Sequence, residues 1–310
     1  MRPIDAAPRG QELLGACCES VREAHRRHRR RGAVTVGIWT FSFDGKEIGE
    51  VRAAAREVES LGFTALWFGE YRGREAFTQA ALLLEATTTL PVATGIARFS
   101  ERSAASAEAA GRTLSEAYPG RFTLGLGGHR PGGGGSAMQD YLDAMDAADL
   151  DFASGSRPRR LLAALGPKML KLAAAQTDGA HTYFVPPEHT ALARETMGPD
   201  AYLAAEQAVV LEADPLRARQ IAREHVAGYV RMAPHQRANL RRLGYSDEDL
   251  ANGGSDRLVD AIVAYRSEQE VADRIRAHLD AGANHVCVQV LGTGPEIPVD
   301  GWRRLAPLVL

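Results

Sequence analysis

Cysteine is scarce: the chain has three in 310 residues, Cys17, Cys18 and Cys287. Two are neighbours and badly placed to pair, so no disulfide framework is expected and a reducing cytoplasm fits. No Cys/His spacing of metal-site type is present. Long apolar runs are missing too, and none approaches the roughly 20 residues of a membrane helix. Neither sign of charge dominates: 37 basic residues face 39 acidic ones, for a net charge of -2. That balance argues against a nucleic-acid binder and leaves a small molecule as the expected partner. What remains, 45% hydrophobic and 25% charged, is ordinary for a globular protein. The length suits two small domains or one large α/β barrel.

Residues 1–33 stand apart in composition. They hold the basic run Arg26-Arg27-His28-Arg29-Arg30-Arg31, and residues 11–25 could form one short helix. Glu12, Glu19 and Glu23 count against a transit peptide. A solvated N-terminal extension is expected here, followed by a single domain over 34–310.

From residue 34 apolar β-branched runs alternate with helical periodicity. Strands are expected at 34–39, 65–68, 91–97, 121–126, 160–165, 180–185, 203–211 and 285–291. Helical patterns fill the intervals, at 48–58, 75–89, 102–117, 167–176 and 188–196. A long helical region at 215–281 has breaks near Pro234, Gly244 and Gly253-Gly254. Residues 127–157 are irregular, and residues 301–308 close the chain. Eight strands, each with a helical partner, predict a (β/α)8 TIM barrel with an irregular insertion after strand four. Two doubly wound domains are the alternative. They are disfavoured because no linker is visible and Gly125-Leu126-Gly127-Gly128 lacks the rest of a dinucleotide fingerprint.

In such a barrel the C-terminal strand ends build the site. That brings Trp39, Glu70, Tyr71, Gly95, His129, Arg130, Gly166, His181 and Tyr183 to one face. His129, Glu70 and His181 are the candidate acids and bases, because only such side chains exchange a proton near neutral pH. Glu70 could instead pair with Arg72 or Arg74. His181 and His189 lack a third ligand for a metal. His225, His235 and His278 lie on helices and read as surface residues.

Several stretches resemble the luciferase-like monooxygenase superfamily, closest to its deazaflavin branch, the coenzyme F420-dependent oxidoreductases. They are Trp67 to Glu70, Thr94-Gly95-Ile96-Ala97, Pro119-Gly120-Arg121-Phe122, and Leu124 to Gly127. Further ones are Ala163 to Leu170, Asp178 to Phe184, Pro187-Glu188-His189-Thr190, and Ala281 to Val286. The resemblance implies a luciferase-like barrel and a hydride passed between the deazaflavin and a small organic substrate. It also implies a non-proline cis peptide on strand three, matched by Gly95-Ile96. It places cofactor contacts at Gly95, Ile96, Gly127, Gly128, Gly166, Pro167, Met169 and Leu170, the last four at the phosphate side, and Trp39 is expected as a wall facing the cofactor ring. A homodimer is implied as well. Alternatives are an FMN-dependent monooxygenase, and a non-catalytic relative whose glycine-rich loop 127–136 is shortened. Related branches carry a histidine at the end of strand one and a glutamate after strand four, where this chain has Trp39 and His129-Arg130.

Overall fold

The structure is a computed structural model that describes residues 35–128 and 136–310. Eight parallel strands close into a barrel: β1 (Val36–Thr40), β2 (Leu66–Phe68), β3 (Val92–Thr94), β5 (Phe122–Gly127), β6 (Arg159–Ala163), β7 (Gly179–Thr182), β8 (Tyr202–Val210) and β10 (His285–Leu291). The closing seam is the pairing of β10 with β8, from His285↔Ala204 to Leu291↔Val210. Two short strands lie beside this ring. β4 (Ala97–Arg98) pairs with β5, and β9 (Val263–Ala264) pairs with β8. The predicted barrel is therefore present. The single strand expected at 91–97 is two pieces, interrupted at Gly95-Ile96, where the peptide bond is cis.

Both faces of each strand are buried, yet the alternation persists. Val36, Ile38, Leu66, Phe68, Leu124, Leu126, Leu162, Val286 and Val288 point outward into the main core under the helices. Trp39, Trp67, Ala93, Leu161, Ala204 and Cys287 form a separate inner cluster. A strand buried on both sides reads as one apolar run, so the sequence could locate the strands but not say which residues face inward.

Around the ring run α1 (Ile48–Ser60), α2 (Ala76–Ala86), α3 (Ala104–Ala117), α4 (Ala137–Asp146), α5 (Pro167–Gln176) and α6 (Pro187–Met197). The region read as one broken helix resolves into α7 (Pro215–Met232), α8 (Pro234–Arg242), α9 (Asp256–Ile262) and α10 (Glu268–Asp280), with β9 between the last two; α11 (Val299–Val309) ends the chain. Ser103, Asp214, Ser255 and Ser267 cap their helices with side-chain oxygens.

Several quoted motif residues turn out to be clamps. Arg121 donates to the carbonyls of Leu84, Thr87 and Leu90, tying the end of α2 to the start of β3. Asn284 accepts from Leu203 N–H at 2.8 Å and from Arg194 at 2.7 Å. His278, read as a surface residue, is fully buried. Its Nε2–H donates to Gln207 Oε1 at 3.0 Å, and its Nδ1 accepts from the Thr190 hydroxyl at 2.8 Å. A helix face periodic enough to look solvated is here covered by α6.

Gly179 opens β7 with φ 151°, and a Cβ there would clash with the Tyr202 carbonyl group. The obstacle is the neighbouring strand's backbone, which cannot yield without breaking the ladder. Gly179→Ala is expected to cost about 3 kcal/mol or more in chemical denaturation. A midpoint equal to that of the parent would contradict this packing.

Candidate functional site

Trp67 occupies the middle of the barrel. Its indole stacks on His181 with ring centroids 4.8 Å apart and on His285 at 5.6 Å. Its Nε1–H donates to His285 Nε2 at 3.0 Å. Above it, His181 Nδ1 lies 3.3 Å from the Ala204 carbonyl oxygen. A carbonyl only accepts, so Nδ1 carries the proton and Nε2 keeps its lone pair. Burial holds the imidazole down to about 4, only partly offset by that carbonyl, so His181 is neutral near pH 7.

His181 Nε2 has no protein partner, and neither has the Trp39 indole N–H, although both are buried. They converge on Gly95. A Cβ there would lie 2.5 Å from Trp39 Nε1 and 3.2 Å from His181 Nε2. One free donor and one free acceptor therefore stand together at the C-terminal end of the barrel.

A third inward-facing group was missed by sequence reasoning. Glu206 pairs in register with Cys287 on β10 and is 1% exposed. Its Oε2 accepts from Phe184 N–H at 3.0 Å, while Oε1 has no partner. Burial raises its carboxyl to about 8, with the Phe184 N–H pulling the other way, so it is largely protonated at neutral pH. Beside it the Tyr229 hydroxyl donates to the Tyr183 hydroxyl at 2.8 Å, and the latter donates to Gln289 Oε1 at 2.8 Å. The signal that could have found Glu206 is a carboxylate inside the run Leu203 to Val210, two residues from the inward Ala204.

The other candidates are distributed as follows. Glu70 does not join the group at Gly95. Its carboxylate accepts from Ala76 N–H at 3.1 Å, Arg98 N–H at 2.6 Å and the Arg102 guanidinium, a closer partner than Arg72 or Arg74. It borders an open depression of about 430 Å³ shared with Tyr71 and Arg98. Ile96 and Gly127 are at the rim, where a Cβ on Gly127 would lie 2.7 Å from Ala163 Cβ. Gly128 follows with φ 99°. His129 and Arg130 lie outside the described residues. His189 belongs to α6, where its Nε2–H donates to the Leu165 carbonyl at 2.9 Å.

Gly166 is the N-cap of α5, with Pro167 in the first turn and no side-chain cap. The Arg242 guanidinium stands over it, 3.2 Å from where a Cβ would be. Free backbone N–H groups at a helix start, beside a cation, suit an anion. Leu170 is buried in the main core and Met169 packs against it, so their side chains serve packing.

A family model described as luciferase-like monooxygenase matches residues 27–132. No match was found among curated proteins. Solved structures share the fold. A coenzyme F420-dependent tetrahydromethanopterin reductase from Methanopyrus kandleri superposes with TM-score 0.71 at 16% identity, covering 90% of this chain and 99% of that one. An F420-dependent secondary alcohol dehydrogenase, in complex with an F420-acetone adduct, gives 0.66 at 16% identity, with 89% and 99% covered. The oxygenating constituent of 3,6-diketocamphane monooxygenase from Pseudomonas putida, in complex with FMN, gives 0.64 at 14% identity, with 89% and 97% covered. Family and neighbours are oxidoreductases and monooxygenases. Among the described residues no helix is long and apolar enough to cross a membrane.

The buried groups set a pH dependence. His181, His278 and His285 are lowered, chiefly by burial, to about 4, 3 and 3. Their stabilising effect is complete above an unfolded value of about 6.5, and each loses about 1.4 kcal/mol per pH unit below it. Glu206 is raised, so its contribution is complete below its unfolded value and fades as pH climbs towards about 8. Thermal stability is expected to peak near pH 6.5, fall steeply on the acid side and decline gently to pH 8. Glu206→Gln should remove a loss that runs from about pH 4.5 to about 8, steepening the acid side and flattening the alkaline one; melting curves from pH 5 to 9 that show no such difference would refute the assignment.

Proposed function

We propose that this luciferase-like barrel is an oxidoreductase that uses coenzyme F420 to pass a hydride to or from a small organic substrate. The observation that carries the proposal is the free donor and acceptor, Trp39 Nε1–H and His181 Nε2, meeting at Gly95. Orphaned buried polar atoms cost stability, and they persist where a ligand completes them.

The residues fit the cofactor in two places. Gly95 leaves backbone bare for a flat ring beside Trp39 and His181, with the Ile96 side chain packed over Gly127 next to it. Gly166, the start of α5 and Arg242 offer a cationic corner for the cofactor's phosphate. When bound, the deazaflavin supplies hydride chemistry without reacting as an oxygen-activating flavin. The chain's own residues orient the substrate and manage one proton. Trp39 N–H would hold an oxygen, and neutral His181 Nε2 would accept its proton during oxidation or return it during reduction. The FMN-dependent alternative keeps support from the family description and from the FMN-bound neighbour.

Titrating the purified protein with F420 and with FMN, followed by fluorescence, is expected to show tighter binding of F420. Tighter binding of FMN would favour a monooxygenase, and binding of neither a non-catalytic relative. Arg242→Gln should weaken whichever phosphate-bearing cofactor binds by about tenfold, roughly 1.4 kcal/mol, while sparing the same ring system without its phosphate. Equal losses for both would remove the phosphate corner.

Gly95→Val should weaken cofactor binding by a factor on the order of ten or more, since its side chain would press on Trp39 Nε1 and His181 Nε2. Pro91 to Thr94 would still fill the sheet, so unfolding without cofactor should move much less. A variant that binds normally would show that ligands do not approach this corner.

A further inference from the structure

A line of aromatic rings runs from the rim of the barrel's mouth to α7. Tyr71 and Phe41 have ring centroids 5.9 Å apart, and Phe41 meets Trp39 edge-on at 4.4 Å. Trp39 then lies 4.9 Å from Tyr183, and Tyr183 lies 5.3 Å from Tyr229. Tyr71 is 56% exposed, while Phe41, Tyr183 and Tyr229 are half-buried, so the line is open along part of its length.

We propose that this aromatic line is the substrate subsite and that it takes a flat, uncharged ring compound bearing one hydroxyl or carbonyl oxygen. The proposal rests on the oxidoreductase reading in one respect only, that the ligand bound here is the substrate.

Flat rings bind ring faces and edges best, and a row of five gives a planar ligand contacts that a flexible chain cannot match. The polar ends along the row are nearly used up. The Tyr183 and Tyr229 hydroxyls are engaged with each other and with Gln289. Beside the Tyr183–Tyr229 pair Glu206 Oε1 is unpartnered, and at Gly95 there remain one donor, Trp39 Nε1–H, and one acceptor, His181 Nε2. A hydroxyl satisfies both at once, and a carbonyl satisfies the donor. A carboxylate would set its lone pairs against that of His181 and would need a counter-cation. Neither His181 nor Glu206 takes part in an ion pair among the described residues. Cations stand at the Tyr71 end of the row, where Arg72 lies 5.1 Å from the ring centre and Arg74, Arg98 and Arg102 line the same depression, whereas Trp39 and His181 lie further along.

The test is calorimetry on the full chain with three probes at pH 7: 1-naphthol, its anionic counterpart 1-naphthoate, and cyclohexanol. 1-Naphthol should bind at least tenfold more tightly than either of the others. Tyr71→Ala, at an exposed position that leaves the core intact, should weaken 1-naphthol by about fivefold. Saturating F420 or FMN should leave the naphthol site available. Equal affinity for 1-naphthoate, or no effect of Tyr71→Ala, would overturn the proposal. Displacement of 1-naphthol by either cofactor would overturn it too, by assigning the row to the cofactor's ring. A protein that binds 1-naphthol as described but neither cofactor would uphold the subsite and sink the cofactor reading.

Discussion

The stack of His285, Trp67 and His181 is the contact on which the rest of the site depends. A barrel of eight short strands has a narrow interior, and one indole in its middle layer leaves little freedom to what lies above. Trp67 ties up His285 from below through its N–H and supports the His181 ring from the side. His181 can then satisfy only one nitrogen, against the Ala204 carbonyl. Its other nitrogen is left facing the mouth. The free acceptor is thus a consequence of packing beneath it, and it is held in one tautomer because the carbonyl beside it cannot donate.

The small residues around this stack follow from the same constraint. Ala93, Ala204 and Gly95 take inward positions next to two tryptophans. Larger side chains there would compete with Trp39 and Trp67 for one volume. The outward positions obey a different demand, filling the layer between sheet and helices with Val, Ile, Leu and Phe. One strand therefore carries two packing codes on alternate residues.

That double code explains what the sequence disclosed. The order of strands and helices could be read because apolar runs and helical periods alternate clearly. The fold class followed from their number. Trp39, Gly95 and His181 could be placed at the strand ends for the same reason. Glu206 was passed over because it sits within a run whose burial on both faces hides the inward direction. His278 was read as solvated because its covering helix comes from far along the chain. Arg121 and Asn284 carry motif positions for structural reasons, so a shared motif there reports the fold more than the chemistry. β9 escaped notice because two residues cannot form a pattern.

Glu70 and Glu206 show how a buried carboxylate can be judged. Both lie at the upper part of the barrel. Glu70 has backbone N–H groups from two elements and a guanidinium on its oxygens, which fixes the connection after β2 to that after β3. Nothing is left over for a ligand, and such a residue explains itself by stability alone. Glu206 has one donor and one oxygen unmatched, at a site where glutamine would suffer less from burial. Isolated unmatched atoms occur elsewhere, as at Trp302 Nε1 on the outer helix α11. The mouth differs because Trp39, His181 and Glu206 are unmatched together on inward positions of β1, β7 and β8. Three separate packing accidents on one face are a poorer account than one shared cause, a polar ligand that all three are built to meet.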